Sequence, residues 1–285
     1  MISYVTHLCT SMLFTPANKP ERFKKAQSIE YADGVVLDLE DAVSKECKEE
    51  ARKQLFSYLQ NNKETEKKGF IEAVRINPIS TYAGLQDVLA MIDSDIIPKV
   101  IVLPKVENVQ QVELYIELLT TKHQVSSEFI ALIETAKGLE NAYEIAKHER
   151  VASIAFGGGD LTADLGAKLT FDCTQSYRAR VVQAAKAAGK QALDVPYLNF
   201  KDVEGLELET RQVKDLGFNG KFAIHPDQVG VIHRVFSPSE AEIEHAKKVV
   251  SVFESAHGGA CELEGKMLDL AVVKNSFVLL QRYNN

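Results

Sequence analysis

The sequence predicts an α/β fold: a TIM (β/α)8 barrel with a C-terminal helical extension. Three observations carry this prediction. Short β-branched runs alternate with helical patterns along the 285 residues, and that alternation implies a parallel sheet. The runs are continuously apolar rather than alternating, as strands covered on both faces are. Most of them end in polar or conformationally special residues, and in a closed barrel all such ends face one mouth.

The expected strands, in order, are Ser11–Thr15, Gly34–Leu39, Phe70–Ile76, Lys99–Pro104, Glu128–Glu134, Ser153–Phe156, Gln191–Val195 and Gly220–His225. Amphipathic segments fall between them at Ser44–Gln60, Val106–Thr120, Leu139–His148, Ser176–Ala188 and Gly205–Leu216. Eight strands close such a barrel, whose usual length is roughly 250 residues. The barrel domain is therefore expected over residues 1–230 and a helical arm over 231–285. In the arm, Ser237-Pro238-Ser239 can cap a helix over Glu240–Ala256, Gly258-Gly259 stops it, and a last helix covers roughly Lys266–Arg282. The charged run Lys63–Lys68 reads as a solvated loop.

Hydrophobic residues make up 45% and charged residues 26% of the chain, enough for a sizeable core. A formal net charge of −7 argues against nucleic-acid or anionic-membrane partners. Cys9, Cys47, Cys173 and Cys261 form no Cys-x-x-Cys pair, so their spacing suggests neither a zinc site nor a disulfide framework. A reducing, cytoplasmic setting is expected. Met1–Phe14 lacks the basic start and long apolar centre of a signal peptide. No apolar stretch approaches the roughly 20 residues needed to span a bilayer.

Two apolar runs end in carboxylates: Phe129–Glu134, and Ile154-Ala155-Phe156-Gly157-Gly158-Gly159-Asp160. About one strand–helix–strand step separates Glu134 from Asp160, which places them at the ends of adjacent barrel strands. Unpaired, each would cost several kcal/mol of desolvation. A hard divalent ion between them resolves the conflict, and so does an ion pair with Lys105 or Arg75. The three glycines let backbone approach a ligand and aim N–H groups at an anion; a tight turn without a ligand explains them equally. Arg75, between apolar neighbours, needs an anionic partner. A substrate carboxylate or enolate oxygen would serve, as would Asp38 or Glu40. Asp38 and Glu40 share one face of their strand and are expected to support the metal site from behind; Asp41 fits the start of a helix. Lys105 could form a Schiff base with a keto acid or pair with the acids. His225 could act as a base or be structural.

In order, Ser11–Arg22, Leu37-Asp38-Leu39-Glu40-Asp41-Ala42-Val43, Val74-Arg75-Ile76-Asn77, Val102–Glu107, Ala131–Gly138, Phe156–Asp160, Ile224-His225-Pro226 and Gly265–Asp269 resemble the citrate lyase β-subunit-like family, also called the HpcH/HpaI aldolase/citrate lyase family. The match covers nearly the whole chain. The resemblance implies a Mg²⁺-dependent carbon–carbon lyase, with Mn²⁺ able to replace Mg²⁺, assembled as a homotrimer or hexamer. Its substrates would be 3-hydroxy-acyl thioesters of coenzyme A or acyl carrier protein. By motif position, Glu134 and Asp160 match metal ligands and Arg75 the substrate-binding arginine. Gly158 and Gly159 would flank the substrate. Asp269 matches an acid/base entering a neighbouring subunit's site. Pro16, Asn18, Lys19 and Arg22 look like part of the CoA site. Glu264 stands where the family often has Asp, and Leu270-Ala271 where it often has Pro soon after the final Asp.

The implied reaction is a retro-Claisen-type cleavage of citramalyl-CoA to acetyl-CoA and the 2-oxo acid pyruvate. Arg75 would stabilise oxyanion charge, and Asp269 would protonate the enolate carbon. Malyl-CoA and citryl thioesters are the alternative substrates. A Schiff-base aldolase using Lys105 and a non-catalytic binding subunit are the alternative functions.

Overall fold

The computed structural model of the chain describes residues 9–62, 69–122 and 125–283. The Lys63–Lys68 run lies outside them, as do residues 1–8 of the amino-terminal segment. Eight strands form a closed parallel barrel in sequence order. They are β1 (Ser11–Pro16), β2 (Gly34–Asp38), β3 (Ile71–Arg75), β4 (Val100–Leu103), β5 (Glu128–Ile133), β6 (Val151–Phe156), β7 (Gln191–Asp194) and β8 (Gly220–Ala223). Closure pairs Ser11, Met12 and Leu13 of β1 with Lys221, Phe222 and Ala223 of β8. Six of the eight strands end one or two residues before the expected boundary.

Ten helices surround the barrel among the described residues: α1 (Glu21–Gln27), α2 (Lys48–Asn61), α3 (Tyr82–Ser94), α4 (Val109–Thr120), α5 (Ala136–Glu140), α6 (Ala142–Lys147), α7 (Gly158–Leu165), α8 (Phe171–Ala187), α9 (Val203–Leu216) and α10 (Pro226–Phe236). Side-chain caps start several of them, as at Thr81 for α3, Asn108 for α4 and Asp202 for α9. The core has two layers. Met12, Val36, Ala73, Val102, Ile130, Leu132, Leu193 and Phe222 fill the barrel interior. The alternate residues of the same strands, such as Leu37, Val74, Ile101, Ile133 and Ile154, pack outward under the helices. That is why the strands read as continuous apolar runs.

A buried ionic cluster ties β7 and β8 to α8 and α9. Asp194 accepts from Arg178 Nε at 2.8 Å and from Lys221 Nζ. Lys221 Nζ also reaches Glu209 Oε1 at 2.8 Å, and Arg178 Nη1 donates to Thr174. The rings of Phe156 and Phe171 cover the Arg178 guanidinium. Arg178, Asp194 and Lys221 are each at most 1% exposed, so their charges persist only because they compensate one another.

The chain divides into two compact units, Met1–Phe236 and Ser237–Asn285. In the second, α11 (Glu240–Ser255) starts from a capping box in which Ser239 and Glu242 bond reciprocally. It ends at His257 and Gly258, both with positive φ. The expected helix over Lys266–Arg282 begins too early. Lys266–Leu268 is strand β10, paired antiparallel with β9 (Cys261–Leu263), and helix α12 runs from Leu270 to Tyr283. Glu264 (φ 53°) and Gly265 (φ 78°) make the two-residue turn. Successive positive φ values are what a type I′ hairpin turn demands. Asp and Asn tolerate this region better than Glu does, so Glu264 is an unusual residue for such a turn. Val249, Phe253, Leu268 and Val273 form the unit's small core. No helix among the described residues is long and apolar enough to cross a membrane.

Candidate functional site

Glu134 follows β5 directly, and Asp160 lies beyond β6 at the C-terminal mouth. Asp160 is not at a strand end, as the sequence suggested. It is the third residue of α7, where the positive end of the helix dipole favours a carboxylate. The three glycines before it serve different ends. A Cβ on Gly157 would lie 2.1 Å from Glu134 Cγ, so Glu134 can fold over this turn only if residue 157 has no side chain. A Cβ on Gly158 would strike the Phe156 ring at 2.6 Å, which is a packing requirement. Gly159 is exposed, with nothing within 4 Å of an added Cβ. Of the two glycines expected beside substrate, Gly159 is the one with open space.

Arg75, at the end of β3, has the partners that the ion-pair reading allowed. Asp38 Oδ1 and Oδ2 accept from its Nε (2.7 Å) and Nη2 (2.6 Å) in a fork. Its Nη1 lies 2.9 Å from Glu40 Oε2 and 3.6 Å from Asp41 Oδ2. The Phe14 ring lies against its guanidinium at 4.7 Å. Asp38 also accepts from the Glu40 and Ala42 N–H groups, so it is an anchor for Arg75 and for the loop. Asp41 does not start a helix: a 3-10 turn at Lys45–Cys47 and then α2 follow it.

Lys105, just past β4, touches three of the mouth's acids. Its backbone N–H donates to Glu134 Oε2 at 2.9 Å. Its Nζ lies 3.3 Å from Asp160 Oδ2 and 3.4 Å from Glu40 Oε1. Burial pulls the ammonium pKa down, but Glu40 and Asp160 outweigh it and hold the pKa above the ordinary lysine value. A Schiff-base nucleophile must be a neutral amine, so this setting argues against that role.

The remaining expected residues are dispersed. Pro16 ends β1; Asn18 and Lys19 follow on the β1–α1 connection and Arg22 lies in the first turn of α1, with Lys19 and Arg22 exposed. His225 stacks on Phe200 at 5.1 Å and sits 3.5 Å from Asp227. In the C-terminal unit, Asp269 Oδ1 accepts from Val272 N–H at 2.9 Å and so caps α12. Sequence reasoning missed the braces behind the site. Lys48 Nζ donates to the Leu39 and Glu40 carbonyls at 2.8 and 2.7 Å. Asn77 Nδ2 donates to the Leu39 carbonyl and to Asp87, which Arg52 grips from the other side. Asn77 lay in a recognised motif; Asp87, inside a helix, carried no signal.

Asp38, Glu40, Asp41, Glu134 and Asp160 thus surround Arg75 and Lys105, and the mouth carries excess negative charge. Burial, reinforced by Glu40 and offset by Arg75, pushes the Glu134 carboxyl up to about 8. Burial likewise raises Glu40 to about 7 against the pull of Arg75. Hard oxygen donors with a charge deficit suit a divalent ion of the Mg²⁺ type, which commonly takes one or two carboxylates. Among the described residues no cluster of three or more His, Cys, Asp or Glu side chains could enclose a metal. Glu134 and Asp160 offer carboxylate oxygens of the kind such an ion takes, without enclosing it.

Residues 10–226 match the family described as HpcH/HpaI aldolase/citrate lyase. The chain is similar to a (3S)-malyl-CoA thioesterase of Cereibacter sphaeroides: 35% identical over 274 residues, covering 94% of this chain and 92% of that protein. It is 31% identical to the mitochondrial citramalyl-CoA lyase of Homo sapiens, covering 93% of this chain and 83% of that one. Among solved structures, CitE from Mycobacterium tuberculosis in complex with magnesium, acetoacetate and coenzyme A aligns with 99% of this chain and 100% of its own. That alignment has a TM-score of 0.83 and 32% identity.

Proposed function

The chain belongs to the HpcH/HpaI aldolase/citrate lyase family, and on that premise we propose that it cleaves citramalyl-CoA to acetyl-CoA and pyruvate with Mg²⁺ held by Glu134 and Asp160. The reaction class is a carbon–carbon lyase acting on a CoA ester. The observation that carries the site assignment is the meeting of Glu134, Asp160, Glu40 and Arg75 around Lys105 at one barrel mouth.

When bound, the divalent ion would polarise the substrate's hydroxyl and carboxylate oxygens and lower the hydroxyl pKa. The chain's residues do the rest. Arg75, held rigid by the Asp38 fork, directs its remaining N–H donors at the oxyanion that develops as the carbon–carbon bond breaks. Glu40 keeps Arg75 and Lys105 in fixed relation. Asp269 of a second copy, in its carboxyl form, protonates the methylene carbon of the departing enolate, the hydroxyl proton passing to solvent from which Asp269 recovers its own; in the reverse direction its carboxylate removes a proton from the acetyl methyl group. This requires an oligomer, a homotrimer or hexamer, in which the second unit, residues 237–285 rather than the expected 231–285, acts as an arm reaching a neighbour. Lys19, exposed on the β1–α1 connection, and Arg22, exposed in the first turn of α1, are suited to the phosphates of coenzyme A.

The similarity to a malyl-CoA thioesterase supports a second reading, in which malyl-CoA is the substrate and the thioester is hydrolysed. One assay separates them. Purified protein with Mg²⁺ is given citramalyl-CoA, malyl-CoA and citryl-CoA in turn, and 2-oxo acid and free CoA are followed together. The proposal expects pyruvate release from citramalyl-CoA without free CoA. It also expects Glu134→Ala and Asp160→Ala each to abolish it. Free CoA without 2-oxo acid would establish the thioesterase, and full cleavage by either variant after chelation would refute the metal assignment.

A further inference from the structure

The backbone and the side chain of Lys105 address different carboxylates of the mouth. Its N–H is bonded to Glu134 Oε2 at 2.9 Å, while its ammonium lies between Asp160 Oδ2 (3.3 Å) and Glu40 Oε1 (3.4 Å). The backbone adopts φ 52°, a left-handed conformation that long side chains rarely take and that tends to persist where a function needs it. Glycine adopts it freely. The bond to Glu134 is therefore a property of the backbone, and the contacts to Asp160 and Glu40 are a property of the charge.

We propose that the Lys105 ammonium is a built-in counter-cation that competes with the divalent ion for Asp160, while its left-handed backbone independently fixes Glu134. This rests on the assignment of Glu134 and Asp160 as metal ligands. An ammonium and a divalent ion cannot share one carboxylate oxygen at close range without strong repulsion. Occupancy of the site then releases Nζ from Asp160 and leaves it with Glu40, beside Arg75. Lys105 is thus a positioning residue that keeps the acids apart and charge-compensated until the metal arrives.

The two roles separate by substitution. Lys105→Met removes the charge. Lys105→Gly removes the charge but relaxes the left-handed backbone, so it keeps the Glu134 contact even where the methionine variant folds poorly. Lys105→Arg keeps a cation. Mn²⁺ is the probe, titrated by electron paramagnetic resonance and calorimetry on full-length oligomer. The proposal expects Lys105→Met and Lys105→Gly to bind Mn²⁺ about tenfold or more tightly than the wild type, because the ammonium no longer competes for Asp160. Lys105→Arg should stay within about threefold. A lysine with a merely structural role would give weaker or unchanged binding in the uncharged variants, and either result overturns the proposal. If the wild type itself binds no stoichiometric Mn²⁺, the ligand assignment fails first and takes this inference with it. Wild-type binding that is insensitive to Lys105→Gly refutes the counter-cation alone.

Discussion

Replacing Gly157 with alanine perturbs the site without altering a single charged group. The new Cβ would fall 2.1 Å from Glu134 Cγ and 2.8 Å from its Oε1. Glu134 has little room to yield: it is 5% exposed, and swinging it away breaks the 2.9 Å bond from the Lys105 N–H. If the side chain stays, overpacking costs about 1–3 kcal/mol. If it moves, the Lys105 N–H is left without its partner, at about 1–3 kcal/mol. Either route destabilises the fold by about 1–3 kcal/mol, and displacement also lowers divalent-ion affinity by roughly 10–100-fold. Gly159→Ala is the matched control, since nothing lies within 4 Å of its added Cβ. Denaturant unfolding and Mn²⁺ titration, run on both variants, give the comparison. Wild-type metal affinity and stability in Gly157→Ala would refute the placement of Glu134 over this turn. An equal loss in both variants would show that the glycines matter through backbone flexibility instead.

Three other outcomes follow from the same geometry. Glu134 is raised from its usual 4.5 to about 8, so the folded state favours its protonated form. That contribution to stability is full below about pH 4.5 and disappears as pH climbs through about 8. Mg²⁺, which needs the carboxylate, should therefore raise the melting temperature more at about pH 8.5 than at about pH 5.5; the opposite trend contradicts the ligand role. Asp194→Asn leaves Arg178 and Lys221 to share Glu209 and should cost about 3–5 kcal/mol by chemical denaturation, whereas a loss under about 1 kcal/mol would mean that the cluster is well hydrated. Asp269→Ser keeps a helix cap while Asp269→Ala loses about 1 kcal/mol of it. Both should abolish turnover, and mixed oligomers of Asp269→Ala with Arg75→Ala should regain it; no recovery despite verified subunit mixing would rule out a shared site.

The barrel was legible because burial on both faces writes itself into composition. β5 and β6 are almost uninterrupted apolar runs, and their polar terminations marked the mouth. The acids were legible for the same reason, since a carboxylate after such a run needs an explanation. Partner choice was not. Whether Arg75 met a substrate or Asp38 depended on side-chain geometry between β2 and β3, which spacing leaves open. The role of each glycine in 157–159 depended on what stood opposite it, information held by β5, by Phe156 and by empty space. The Cys261–Leu268 hairpin was hidden because its strands are three residues each, too short for a period to register, and its turn begins with a glutamate where Asn or Asp usually signals.

The ionic cluster between β7, β8, α8 and α9 also constrains how this lineage can change. Any one of Arg178, Asp194 or Lys221, replaced alone, strands its partners in a dry layer. Replacing all of them together with apolar residues of like volume can be neutral or even stabilising. The stable alternatives therefore lie several simultaneous substitutions away, with unfit intermediates between. A seam of this kind resists change one residue at a time, whatever the stability of a fully apolar replacement.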